Sequence, residues 1–348
     1  MPASLLTGRA SVTVFTAEDA SAWADLMAVV PAEIGDRLAA LQKIAGVTGV
    51  AQYSDGRPEA IVIGQRRPAA AMMRIALFWS AASFISGPRL LEALEQEALA
   101  QDVLCLRADE DTVLRTGGQW ERRDGFLQRW IGIEPIHRQE RLPPSWPQTA
   151  GFTCGPSALA MAMAAIDPAL RPDRALEVEL WREATTIIGP SGPGGCDPYG
   201  LALAAHRRGL RVEVFMSTAD PIFLDRAASE ERRGLMSFVQ AGFKRDVEAA
   251  SVPIEPRAFA VEEIGQALDR GLLALVLIDQ APMMGYTCPH WVLVHGHGGG
   301  VYFLNDPWIE PDRLEQMDVV DLPVMAAELD RMAWYGNPAY RATVLVGR

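Results

Sequence analysis

The sequence predicts an α+β protein of two domains. Three observations carry this: strand and helix patterns alternate through the first half, a proline-rich break follows, and the second half runs helices into consecutive strands. At 348 residues the chain is longer than one typical domain, and 49% hydrophobic against 22% charged residues is the balance of a protein with a sizeable core.

The elements follow in order. "ASVTVF" reads as a strand and "AEDASAWADLMAVV" as a helix with acids in its first turn. "EAIVIGQ" and "MRIALFWS" are two further strands. "GPRLLEALEQEALAQD" spaces Leu90, Leu91, Leu94 and Ala98 along one helical face, and "VLCLRAD" is the strand after it. "RQERLPPSWPQTAG" then carries Pro143, Pro144 and Pro147, which neither continue a helix nor sit in a central strand, so a linker falls at about residues 138–147. The domains expected are residues 1–140 and 146–348. In the second, a helix follows Cys154 and "DRALEVELWREATTI" forms another. "GPSGPGGCDPYG" is a Gly/Pro-dense loop, read as a cleft wall or lid, because it lacks the lysine of a phosphate-binding loop. "LALAAHRRG" is a helix closed by Gly209, and "LRVEVF" a strand. After a charged helical region come the strands "LLALVLID", "HWVLVHG" and "VYFLND", the last two joined by a hairpin turn at "GHGGG".

Charge and composition exclude several function classes. With 32 Lys+Arg against 44 Asp+Glu, the formal net charge is −12, which disfavours a general nucleic-acid or anionic-membrane binder. No run reaches the roughly 18 apolar residues of a membrane span. No signal peptide is read in "MPASLLTGRASVTVF", so a cytoplasmic, thiol-reducing location is expected. The four cysteines, Cys105, Cys154, Cys196 and Cys288, are too scattered for a disulfide framework.

The chemistry centres on "QTAGFTCGPSALAMAMAAI", where Cys154 stands as an apolar helix begins. Unpaired N–H groups and the positive end of the helix dipole favour a thiolate there. A thiol nucleophile needs a base, and the base needs a third group to orient it. His290 starts a strand and Asp306 closes the next, so a hairpin brings the two together. Asp306 then orients the imidazole, while the Gln148 side-chain N–H and the Cys154 backbone N–H face a developing oxyanion. His206 lies near a helix end among basic residues, and His137 in the linker region. The rival is a zinc site from Cys288, His290, His295 and His297 in "CPHWVLVHGH". Strand alternation puts His290 with Val292 and Val294 but His295 with Trp291 and Leu293 on the other face, which argues against it.

In this order, Gln148, Cys154, His290 and Asp306 resemble the papain-like cysteine peptidases. "TCGPSALAMAM" and "HWVLVHG…VYFLNDPW" are most similar to the bacteriocin-processing branch, which cleaves leader peptides after double glycine. "ELWREATTI…GGCDPYGLALAAHRRGLRVEVF" looks closer still to a soluble bacterial subgroup, whose members often carry an acetyltransferase-like domain in front. The resemblance covers about residues 146–348 and implies a papain-like peptidase domain acting on a peptide or small protein. No metal or organic cofactor is expected. The stretch from "SGPRLLEALEQEALAQD" to "GGQWERRDGF" is similar to the later part of a GNAT acetyltransferase. Gly87 is kept, but Ala82 and Ile85 replace the basic residue and second glycine of the CoA-binding turn, and Trp120 stands where a tyrosine acid is usual. That pattern implies an α/β GNAT-like domain that has lost catalysis and serves substrate docking. Two other functions use the same residues: an acyl or amino transferase, in which an amine resolves the thioester, and a peptide-binding protein that breaks no bond.

Overall fold

A computed structural model describes residues 11–81, 87–123, 125–133, 142–186, 194–311 and 313–348. The chain divides into two units, residues 1–135 and 136–348, and the fold is α+β. His137, the turn residues Ala82 and Ile85, and most of the loop at 189–195 lie outside the described residues.

Unit 1 comprises β1 (Ser11–Thr16), α1 (Ala20–Met27), α2 (Ala32–Leu41), β2 (Val47–Ser54), β3 (Arg57–Arg66), β4 (Met72–Ser80), α3 (Gly87–Leu99), β5 (Cys105–Ala108), α4 (Glu110–Thr116), β6 (Glu121–Arg123) and β7 (Phe126–Trp130). Its sheet runs β1-β2-β3-β4-β5-β7-β6. Among the described strands of this sheet only β4 and β5 pair in parallel, and α3 is the crossover between them. Both faces are covered, which explains the unbroken apolar run of β3. Val62 packs under α3 with Leu90 and Leu94, while Ile61 and Ile63 face Trp23, Leu26 and Leu38 of α1 and α2. β2 and α2 were not anticipated from sequence. β2 contains Gly49, which leaves the space the Phe15 ring fills, and its hairpin turn to β3 uses Asp55 and Gly56, both at positive φ.

Unit 2 comprises α5 (Cys154–Ile166), α6 (Arg174–Ala184), α7 (Pro198–Arg207), β8 (Arg211–Met216), α8 (Glu230–Ala249), β9 (Ile254–Glu255), α9 (Val261–Asp269), β10 (Leu273–Asp279), α10 (Ala281–Met284), β11 (Pro289–Gly298), β12 (Val301–Asn305), β13 (Leu322–Met325), α11 (Ala326–Met332) and β14 (Ala342–Gly347), with 3₁₀ turns at Leu224–Arg226 and Gln316–Asp318. The sheet order is β13-β12-β11-β10-β14-β8-β9. α5 is buried from Cys154 to Ala164, as expected of a helix apolar on every side. It shares one core with Leu201 of α7, Leu275 of β10, and Trp291 and Leu293 of β11.

The β11–β12 hairpin turns at Gly299 and Gly300, with φ of +58° and +79°, the left-handed pair that a two-residue turn needs. Antiparallel pairing sets the start of β11 beside the end of β12. Leu293 pairs with Asn305, and one further step of that register sets Asp306 across from Val292. Val292 and His290 share a face, so Asp306 is a diagonal neighbour of His290. The register shifts between Val294 and Gly296, which makes His295 the bulge residue.

Candidate active site

Cys154 is the first residue of α5, and no side chain caps this helix. Thr153 instead turns back, its hydroxyl donating to the Ala150 carbonyl at 2.9 Å. The first-turn N–H groups stay available, and the backbone N–H groups of Gly155 and of Trp291 in β11 favour the thiolate form of Cys154. Pro156 fits the first turn, where its missing N–H costs nothing. Gly155 is closely packed: a Cβ there would lie 3.0 Å from Leu201 Cδ1, 3.1 Å from Trp291 Cδ1 and 3.3 Å from Cys196 Cβ, so these neighbours would have to give way slightly.

His290 neighbours the Cys154 thiol and interacts with it by charge and hydrogen bonding, and its Nε2 lies 2.7 Å from Asp306 Oδ1. The carboxylate accepts, so Nε2 carries the proton and Nδ1 is left to face the sulfur. Asp306 Oδ1 also accepts Trp308 N–H at 2.8 Å, which fixes the carboxylate. All three residues are buried, Cys154 with 8% of its surface exposed, His290 with 4% and Asp306 with 2%.

Burial pushes the Cys154 thiol up, but the hydrogen bond and charge of His290, with the two backbone N–H groups, more than offset it and leave the thiol below its ordinary value. Burial disfavours the imidazolium, yet the Asp306 charge and hydrogen bond, then Cys154, raise His290 to about 10. Both shifts act in the same sense, favouring a thiolate beside an imidazolium over the neutral pair. Cys196, whose side chain neighbours the site, is driven the opposite way: burial, then the charges of Cys154 and Asp197, hold its thiol well above the usual range.

Gln148 lies in the segment leading into α5. Its backbone N–H donates to the Pro307 carbonyl at 2.8 Å, next to Asp306. Its Nε2 donates to the Ala150 carbonyl at 2.7 Å, which leaves one amide hydrogen of the two.

The structure adds a group absent from the sequence reading. Glu177 of α6, fully buried, accepts Trp146 Nε1–H at 2.9 Å, Thr149 N–H at 2.8 Å and the Thr149 hydroxyl at 3.2 Å. It clamps both flanks of Gln148. A signal for it existed, because Glu177 falls on the same helical stripe as buried Leu180 and Ala184. Asp197 is the other addition. It caps α7, accepting Tyr199 N–H at 2.8 Å and Gly200 N–H at 3.2 Å. Burial pushes its carboxyl up to about 7, although those two N–H groups pull it down.

Cys154 opens into a cavity of about 440 Å³ lined by Phe152, Cys196, Trp291, Phe223, Arg226 and Arg232. A cavity of about 540 Å³ elsewhere is lined by His295 and His297 and by none of the four predicted site residues. His295 lies 3.8 Å from Asp321 and His297 2.9 Å from Asp269, so the histidines of the zinc alternative have separate carboxylate neighbours. Among the described residues no three His, Cys, Asp or Glu side chains stand together as metal ligands. His206 is exposed in the last turn of α7. Among the described residues no helix is long and apolar enough to cross a membrane.

A model of the Peptidase_C39 like family matches residues 143–347. No curated protein matches the chain. Among solved structures, the chain is similar to an aminoglycoside 6′-acetyltransferase type Ii at 10% identity, over 36% of this chain and 99% of that one, with a TM-score of 0.30. Tetrahymena GCN5 matches at 10% identity, over 35% and 96% of the two chains, with a TM-score of 0.28. A putative acyl-CoA N-acyltransferase from Klebsiella pneumoniae subsp. pneumoniae matches at 16% identity, over 35% and 97%, with a TM-score of 0.28.

Proposed function

This chain belongs to the Peptidase_C39 like family, and we propose that its second unit is a cysteine hydrolase that cleaves a peptide or isopeptide bond. The hydrogen-bonded series Cys154–His290–Asp306 carries this reading. The Cys154 thiolate attacks the carbonyl carbon, forming a C–S bond and an oxyanion. The Cys154 backbone N–H and the remaining Gln148 Nε2–H stabilise that oxyanion. His290 passes its proton to the nitrogen, the C–N bond breaks, and the amine leaves a thioester behind. Neutral His290 then takes a proton from water, the hydroxide attacks the thioester, and the acid departs as thiolate and imidazolium are restored. Asp306 stays ionised throughout and stabilises the imidazolium. These steps draw on side chains, one backbone N–H and water. The family resemblance points to a small residue such as glycine before the cut.

The first unit is proposed to dock the substrate. The indole N–H of Trp120 donates to the Gly117 carbonyl at 2.8 Å, and an indole has no acidic proton to lend where an acetyltransferase needs one.

Alkylation of Cys154 by iodoacetamide across pH, followed by mass spectrometry in wild type and His290→Ala, tests the hydrolase reading. The expected result is rapid labelling at pH 6 that falls about 100-fold in the variant, since an ordinary thiol with a pKa near 8.5 is well under one per cent ionised there. Wild-type labelling at the rate of an ordinary thiol, unmoved by His290→Ala, would overturn the reading and favour a peptide-binding protein.

A further inference from the structure

The charge of the cleft is opposite to that of the chain. Among the described residues lining the cavity that Cys154 opens into, the charged side chains are Arg226 and Arg232, and no carboxylate lines it. A chain of net charge −12 repels an anionic substrate at long range. Two guanidinium groups lining the cavity give it a local positive charge. Arg226 ends the 3₁₀ turn Leu224–Arg226 and Arg232 sits in the first turns of α8, so two successive elements aim cations at one space. Among the described residues no ion pair of Arg226 is found, although the charge of the adjacent Asp225 acts on it. It shares a hydrogen bond with the neutral Tyr335 hydroxyl, which orients its guanidinium. A planar guanidinium with unused N–H donors matches the two oxygens of a carboxylate.

The size of the space sets the position of the partner. A cavity of 440 Å³ is about 10 Å across if taken as a sphere, and an extended peptide advances about 3.3 Å per residue. A substrate group that meets these arginines is therefore within about three residues of the carbonyl that meets Cys154.

We propose that this cleft selects a substrate carrying a carboxylate within about three residues of the scissile carbonyl, held by Arg226, with the positive charge of Arg232 lining the same space. The proposal deepens the hydrolase reading and rests on it for the bond that is cut. An acidic side chain and a free chain terminus present the same chemical group, and the two sources are separable by experiment.

The test uses the full chain and two alkylating agents of nearly the same size, anionic iodoacetate and neutral iodoacetamide. Their rate ratio at Cys154 reports the charge of the cleft. His290 contributes equally in all variants compared, so changes in the ratio belong to the arginines. Arg226→Gln/Arg232→Gln is expected to lower the iodoacetate-to-iodoacetamide ratio about tenfold, the size of one lost charge-assisted hydrogen bond. Arg226→Glu, a change at an exposed position, is expected to lower it further than Arg226→Gln. A ratio that is the same in wild type and every variant overturns the proposal. In a second arm, short glycine peptides protect Cys154 from iodoacetamide. One carries a glutamate side chain and an amidated end, one a free terminal carboxylate, and one glutamine with an amidated end. About tenfold better protection by a carboxylate peptide than by the neutral one supports the proposal, and the stronger of the two names the source. Equal protection by charged and neutral peptides, or none, overturns it. Failure of the hydrolase reading shows separately, as a slow wild-type iodoacetamide rate, whereas failure of this proposal appears only in the ratio and the peptide contrast.

Discussion

At Cys154 two opposing effects act on one sulfur. Burial alone makes a thiol harder to ionise, which is what happens to its neighbour Cys196. The difference is the company each keeps, since only Cys154 has a protonated imidazole and two backbone N–H groups aimed at it. The imidazolium in turn depends on Asp306, 2.7 Å away. Asp306→Asn keeps the shape and removes the charge, so His290 falls towards its ordinary value and the thiolate loses its counter-ion. Iodoacetamide labelling of Cys154 is expected to fall roughly 10- to 100-fold at pH 6, the effect of a thiol shifted by one to two pH units. The loss shrinks by pH 9.5, where a free thiol ionises by itself. Equal losses at both pH values would mean that Asn blocks access and that Asp306 does not set the charge state. Peptide mapping of the wild type at pH 6 gives the companion result: label on Cys154 and none on Cys196.

Among the elements, α6 does most to hold the segment ahead of the nucleophile. Glu177 spends both carboxylate oxygens on that segment, through Trp146 and Thr149. Glu177→Ala removes the charged acceptor of two N–H donors, on half-buried Trp146 and on Thr149, and is expected to destabilise the protein by about 3 kcal/mol. In a unit of this size that lowers the midpoint of thermal unfolding by roughly 6–12 °C. Glu177→Gln is expected to lose less, because its one carbonyl oxygen still accepts. Calorimetry on both variants checks the order, and an alanine variant as stable as the parent would show that the segment is held elsewhere. The sequence reading named Gln148 but not its clamp, for a physical reason. Cys154, His290 and Asp306 sit at ends of elements whose starts and stops are written in local pattern. The partners of Glu177 lie 28 and 31 residues upstream, a pairing that no helical or strand period encodes. The acid within the stripe of Leu180 and Ala184 was the legible trace of it.

For the whole molecule, what sequence could convey followed the range of the forces involved. α3, α5 and α7, and the hairpin at Gly299–Gly300, were legible because periodicity and turn chemistry are local. β14 was not anticipated, although it is central, between β10 and β8. "ATVLVG" is a short apolar run at the chain end, and only its two partners make it a strand. The same limit applied to charge. In the sequence Asp197 is one residue of the Gly/Pro-dense loop "GPSGPGGCDPYG", yet it is buried, and its carboxyl is pushed up from 3.8 to about 7. That shift gives the stability of the fold a pH dependence whose sign is fixed. Between pH 4 and 7 the unfolded chain has released this proton and the folded chain keeps it, so raising the pH favours unfolding, and the effect is complete above about 7. About three pH units at about 1.4 kcal/mol each amount to roughly 4 kcal/mol. Asn at this position does not titrate, and its Oδ1 still accepts from Tyr199 and Gly200. Denaturant unfolding of wild type and Asp197→Asn at pH 4.5 and pH 8 measures the difference directly. The variant is expected to gain on the wild type by a few kcal/mol as the pH rises, whereas a difference that stays constant would mean that Asp197 is ionised in the fold at both values.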